Sequence, residues 1–299
     1  MQINFKNNIL PHLVGVVVFY LIVLFYFSPA VFDSKILFQY DILQWEGAAK
    51  EVMDYRAETG EEALWTNSMF GGMPAYLVNF EVPGDITNFL IKVVTLGLPH
   101  PVNSLFFGMV AMYILLLSFK VRPEFSIAGA VAFAFNTFHV ISLDAGHNAK
   151  IWAICLIPLI LAGIHLAFSG KKILGLALFA FGLMLQLKFN HLQITYYTLL
   201  IVLIYGIGQI VDSYKSKSLP AFGKTILILV LGACLAVGSN LSRFMTVLEY
   251  GSFSTRGQSN ITSANTSEGG LDRDYAFNWS QGKMETLTLL VPFIYGGGS

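Results

Sequence analysis

Long apolar runs separated by short polar breaks dominate the chain. Their spacing predicts membrane-spanning helices near residues 12–32, 101–119, 125–143, 151–169, 173–189, 192–211 and 225–245. A helix needs roughly 20 apolar residues to cross a bilayer, and most of these runs come close to that length. The first run, His12 to Phe32, follows a short head whose only full charge is Lys6. It ends in Ser28-Pro29-Ala30-Val31-Phe32, without a small-x-small cleavage site, and so reads as an uncleaved signal anchor. The last apolar stretch, Leu287 to Tyr295, is too short to span, and the chain stops soon afterwards at Gly296-Gly297-Gly298-Ser299. The expectation is the N-terminal part of a longer protein.

Composition strengthens the membrane reading. Hydrophobic residues make up 55% of the 299 and charged residues only 12%, against about 25% charged in soluble domains. A water-soluble fold has too little polar surface to clothe that much apolar matter. Eighteen basic residues balance eighteen acidic ones, so overall charge points to no nucleic-acid partner. Cys155 and Cys234 both lie inside apolar runs and read as core residues, with no disulfide framework or metal site.

The position of the charges sets an orientation. Lys120 with Arg122, Lys171 with Lys172, and Lys215, Lys217 and Lys224 fall in every second loop, the pattern of cytoplasmic loops under the positive-inside rule. The N-terminus is then inside, and the loops at 33–100, 144–150, 188–191 and 246–286 are outside. The fold class expected is an all-α polytopic membrane protein with seven spans and a long, structured first outer loop. Within that loop, Ile42, Trp45, Ala49, Val52 and Met53 recur at helical spacing and predict a surface helix over Asp41–Arg56. A second interfacial helix is predicted over 85–97. Between them, Leu64 to Pro74 reads as a Gly-Pro turn with aromatics, and 251–270, rich in Ser, Thr, Asn and Gly, reads as a loop.

Polar residues collect on the outer side. Asp41 follows the first span, where Asp is also a favoured helix cap. Asp144, His147 and Lys150 share the second outer loop, which also suits a plain solvated hairpin. Lys188 and His191 share the third, behind an apolar run short enough to place them slightly below the surface and facing a cavity; a lysine snorkelling to the interface is the simpler reading. Asn240, Arg243, Glu249 and Arg256 lie at or after the end of the last span. Lys150, Lys188, Arg243 and Arg256 thus sit on the face that should be poor in basic residues. A phosphate bound there would account for them, since Arg and Lys satisfy phosphate oxygens through charge-assisted hydrogen bonds. A nearby carboxylate suits a general base for an acceptor hydroxyl.

The order of spans, Tyr40-Asp41-x-x-Gln44, and Trp65 with Phe70-Gly71-Gly72-Met73-Pro74 resemble the bacterial YfhO-type membrane proteins. Asp144-Ala145-Gly146-His147-Asn148 and Ser254-Thr255-Arg256-Gly257 add to the likeness. That family is similar to C-class glycosyltransferases, which take sugar from a polyprenyl-phosphate carrier outside the bacterial cytoplasmic membrane. The resemblance implies Asp41 as the catalytic acid of the first outer loop, and Ile42 beside it, in place of a second acid, speaks against a paired-acid metal centre. The expected reaction is inverting sugar transfer from a lipid-linked donor to an envelope glycopolymer or glycolipid. Arg256, with Arg243 or Lys188, would face the departing phosphate, and Gln44, Asp144, His147 and His191 would contact substrate. The alternatives are a transporter or flippase of a lipid-linked glycan and a non-catalytic envelope-assembly protein. Transporters often show symmetric repeats, and none is visible here.

Overall fold

A computed structural model describes residues 5, 9–33, 35–82, 84–251 and isolated positions between 253 and 294. The chain forms two compact units, Met1–Leu241 and Ser242–Ser299. The first contains α1 (Leu10–Tyr26), α2 (Ser28–Phe32), α3 (Tyr40–Thr59), a short hairpin of β1 (Trp65–Thr66) and β2 (Met73–Pro74), and α4 (Ile86–Val94). It continues through α5 (Asn103–Ser118), α6 (Pro123–Ala134), α7 (Thr137–Ala145), α8 (Asn148–Phe168), α9 (Lys172–Lys188), α10 (Leu192–Lys215) and α11 (Leu219–Gly238). A final helix, α12 (Leu241–Gly251), carries the chain into the second unit.

Successive long helices run in opposite directions. His12 Nδ1 meets the Tyr113 hydroxyl at 2.8 Å while Tyr20 contacts Phe106, so α1 and α5 are antiparallel. Phe107 lies on Trp152 and Phe119 on His165, so α5 and α8 are parallel. Near the end of α9, the Met184 carbonyl accepts from Asn240 Nδ2 just past α11 at 3.1 Å. The alternation gathers residues 33, 35–82, 84–102, 146–147, 189–191 and 239–240 at one end of the bundle, the loop end. Lys120, Arg122, Lys171 and Lys217 collect at the other, the basic end.

The centre of the bundle is α8, where Trp152, Leu156 and Ile160 are buried. Its contact with α9 is backbone on backbone. A Cβ added to Gly163 would stand 2.4 Å from the Phe179 amide nitrogen, and one added to Gly175 would stand 2.5 Å from that of Ala167. Small residues permit such approach, which is how apolar helices gain packing energy without a hydrophobic drive. By contrast α10 keeps most of its side chains on the outside of the bundle.

Several expected elements take a different form. The helix expected over 12–32 divides at Phe27, because Pro29 has no N–H and starts α2 afresh. The run 125–143 is a pair of helices bent by 40°. There Asn136 interrupts the ladder and caps α7, its side chain accepting from the His139 amide at 3.0 Å. The run 225–245 begins earlier, at Leu219 ahead of Pro220, and ends at Gly238, which leaves Arg243 on α12. By length and composition, Asn148–Phe168, Leu192–Lys215 and Leu219–Gly238 can cross a membrane, and the bent pair counts as a fourth. Leu10–Tyr26 and Asn103–Ser118 are apolar but shorter. All-α architecture is therefore seen, while seven full crossings are more than these helices show.

The long loop-end segment is folded. Glu51 on α3 accepts from the Thr66 hydroxyl at 2.6 Å and from the Asn67 and Ser68 amides, both at 2.9 Å. Arg56 joins Glu62 and Asn79, and Trp45 Nε1 donates to the Val78 carbonyl at 3.0 Å. In the hairpin, Gly72 has φ +121, and a Cβ there would meet Trp65 Nε1 at 2.8 Å. Only glycine fits under that ring. Of the predicted apolar stripe on this helix, Ala49 and Val52 are buried and Trp45 and Met53 are exposed. The second predicted helix spans Ile86–Val94.

Candidate functional site

The segment ahead of α3 is clamped to the start of α8 by a pair of amides. Gln39 Nε2 donates to Asn148 Oδ1 at 2.9 Å, and Asn148 Nδ2 returns a bond to Gln39 Oε1 at 3.0 Å. Gln39 Nε2 also reaches the Leu143 carbonyl. Both side chains are buried, so each satisfies polar groups that would otherwise be costly. The clamp leaves no room at Gly146, which ends α7 at φ +94. A Cβ there would stand 3.2 Å from the Asp41 Cβ and 3.3 Å from the Gln39 Cβ. A left-handed turn with a chain pressed against it calls for glycine.

That turn aims His147 at Asp41. His147 Nε2 lies 3.0 Å from Asp41 Oδ2, with both side chains about half exposed. On the other ring nitrogen, Lys150 Nζ stands 3.2 Å from His147 Nδ1. An ammonium can only donate, so Nδ1 accepts and Nε2 carries the proton given to Asp41. The series is Lys150 to His147 to Asp41. Among the described residues, Asp41 Oδ1 has no hydrogen-bond partner.

Asp41 is not the cap of its helix, as its sequence position had suggested. The cap position is Gln39, whose side chain is taken by Asn148, and Asp41 sits within the first turn. There a negative charge is favoured by the helix dipole.

His191 belongs to the same neighbourhood. Its imidazole is held below the usual range first by burial and then by the charge of Lys150. Its Nδ1 and the Thr195 hydroxyl one turn on are buried without a partner among the described residues. Phe189, two residues earlier, stacks on Trp152 at 4.6 Å and seats this turn on α8.

The remaining expected site residues are more scattered. Lys188 is drawn to Asp85, with Nζ 2.5 Å from Oδ2, and also reaches Thr87. Asp85 caps α4 by accepting from the Thr87 amide at 2.8 Å. Burial alone would raise its carboxyl, but the bonds from Lys188 and Thr87 outweigh it, bringing the value from 3.8 to about 2. Gln44 and Asp144 are exposed and make no polar side-chain contact among the described residues. Arg243, half-buried on α12, belongs to the second unit. Arg256 lies outside the described residues, as do Ser254 and Thr255 and nearly all of 251–270.

Sequence reading missed Asp85 and Gln39. The first carried a weak signal as an acid opening a predicted helix; the second carried none, because its partner is distant in sequence. A cleft of about 780 Å³ also opens beside the site and was not foreseen. Gln39, Ile42 and Asn148 form part of its wall, and Asp41 does not. Among the described residues there is no cluster of three metal-ligating side chains.

Comparison with family models, curated proteins and solved structures finds no match to this chain.

Proposed function

We propose that this protein is a membrane glycosyltransferase that moves a sugar from a polyprenyl-phosphate carrier to an envelope acceptor at the extracytoplasmic face of a bacterial cytoplasmic membrane. The loop end is then outside, the basic end and N-terminus inside, and the seven helical passes cross the bilayer. What carries the reading is the Asp41–His147 pair, with an unoccupied carboxylate oxygen at the end of the bundle where Lys150 and His191 also gather.

In this reaction Asp41 Oδ1 takes the proton of an acceptor hydroxyl, and that oxygen forms a bond to the anomeric carbon. The bond from that carbon to the carrier phosphate breaks, and its electron pair leaves with the phosphate. His147 holds Asp41 in place through Oδ2. Positive groups stabilise the developing charge best when fixed beforehand, and Lys150 is the described cation nearest the pair. Membrane lipids and the lipid-linked donor are the partners proposed.

The test is incubation of the purified protein with a panel of radiolabelled polyprenyl-phosphate sugars, following free lipid phosphate. Release that depends on an added glycan acceptor supports transfer. Donors that stay intact across the panel, yet cross the membrane of reconstituted vesicles, replace the enzyme with a transporter.

A further inference from the structure

We infer that the cleft beside α3 is a binding site for a membrane amphiphile with a hydrocarbon chain and an uncharged, hydroxyl-rich head. The cleft does not include Asp41, so the inference stands apart from the transfer reaction.

Its lining is mixed in character. Tyr20, Ala30, Val31 and Leu37 contribute apolar surface, while Lys35, His100 and, on α3, Trp45 and Glu46 contribute polar or aromatic groups. Tyr20 lies about 9 Å below the end of α1 at Tyr26, by the 1.5 Å rise of a helix. The cleft therefore reaches from α3 at the loop end to Tyr20 within the bundle, and a single ligand filling it needs a polar group as well as apolar surface. Its volume of about 780 Å³ falls in the range of small-molecule sites, roughly 300–1,000 Å³.

Charge selects the head. Lys35 Nζ already has Asp33 Oδ2 at 3.7 Å, and Glu46 adds a second carboxylate to the wall. The cation is thus offset, and an anionic head gains little there. A hydroxyl can instead accept from Lys35 and donate to Glu46, the pairing that an ammonium and a carboxylate each require. Trp45 has committed its N–H to the Val78 carbonyl, which leaves the ring as an apolar wall. Gln39 and Asn148 have satisfied one another, so the side chains of Lys35, Glu46 and His100 are the ones with capacity to spare.

Trp45 is also the reporter. The full chain is reconstituted in lipid nanodiscs and titrated with a dodecyl glucoside brominated along its chain, then with the equally brominated dodecyl phosphate. Saturable quenching by the glucoside, absent in Trp45→Phe and about tenfold weaker for the phosphate, is expected. Glu46→Ala removes a hydrogen bond to a charged group and should weaken the glucoside by about tenfold. Ala30→Phe puts a ring into the cleft and should abolish saturation; thermal unfolding confirms that each variant is folded. Quenching that rises without saturation, that is equal for the phosphate, or that survives both folded variants overturns the inference. Because Asp41 is untouched, sugar transfer measured in the same preparations reports separately on the enzyme reading.

Discussion

Asp41, in the first turn of α3, and His147, in the turn before α8, meet at 3.0 Å, with His147 held in turn by Lys150. The relationship gives Asp41 a fixed direction while leaving one carboxylate oxygen available. It separates two roles that a single substitution can distinguish.

Asp41→Asn should leave a folded protein. Asp41 is not the helix cap, so the change removes only a first-turn charge worth about 0.3–1 kcal/mol. Donor binding is expected to persist, while turnover falls by roughly 10²-fold or more, the usual contribution of a general base. Undiminished sugar transfer by a folded Asn variant would remove Asp41 from the chemistry. His147→Ala should lower turnover less, since it releases Asp41 without removing the proton acceptor.

Gly146→Ala tests the junction that makes the pair. The added methyl meets Asp41 and Gln39 at a backbone angle of +94, and left-handed conformation alone costs an L-residue about 1–2 kcal/mol. A fall in melting temperature is expected together with loss of activity. Gly206→Ala is the control, because nothing lies within 4 Å of the Cβ it would gain, and its helix interior should be slightly stabilised, by up to about 1 kcal/mol.

The Asp85–Lys188 pair makes stability depend on pH in a defined direction. The Asp85 carboxyl titrates near 2 in the folded protein against an ordinary 3.8. Its folded value is the lower one, so the stabilisation is complete well above pH 3.8 and is lost as pH falls from there toward 2. The shift corresponds to about 2 kcal/mol at most. Comparing unfolding of wild type and Asp85→Asn from pH 7 to pH 2 should show a constant gap at neutral pH that closes below about pH 4. A gap unchanged at low pH would leave Lys188 without this role.

Orientation is open to direct labelling. In a background with Cys155 and Cys234 replaced, a cysteine at Phe70, which is 91% exposed at the loop end, should react in intact cells with an impermeant thiol reagent. One at Ser216, at the basic end, should react only after permeabilisation. The reverse pattern would turn the site to the cytoplasm.

Helix positions were legible in the chain because an apolar run's length and its basic flanks are local properties, read without knowing what packs on what. The same locality explains the departures. Phe27 and Asn136 divide runs that look continuous, because a proline or a capping amide outweighs the apolar average around it.

By itself, the sequence determined that the chain is helical and apolar, with basic residues in alternate breaks and with Asp41, His147, Lys150 and His191 at one end of the bundle. Only the tertiary structure decided which of these meet. Lys188 turned to Asp85, while His147 turned to Asp41 because Gln39 and Asn148 lock α3 to α8 and Gly146 lets the two backbones close. The physical reason is that a side-chain contact depends on positions to within about an ångström. Those positions are set by interlocked backbones and buried amides contributed by distant parts of the chain, and no periodicity along the sequence encodes them.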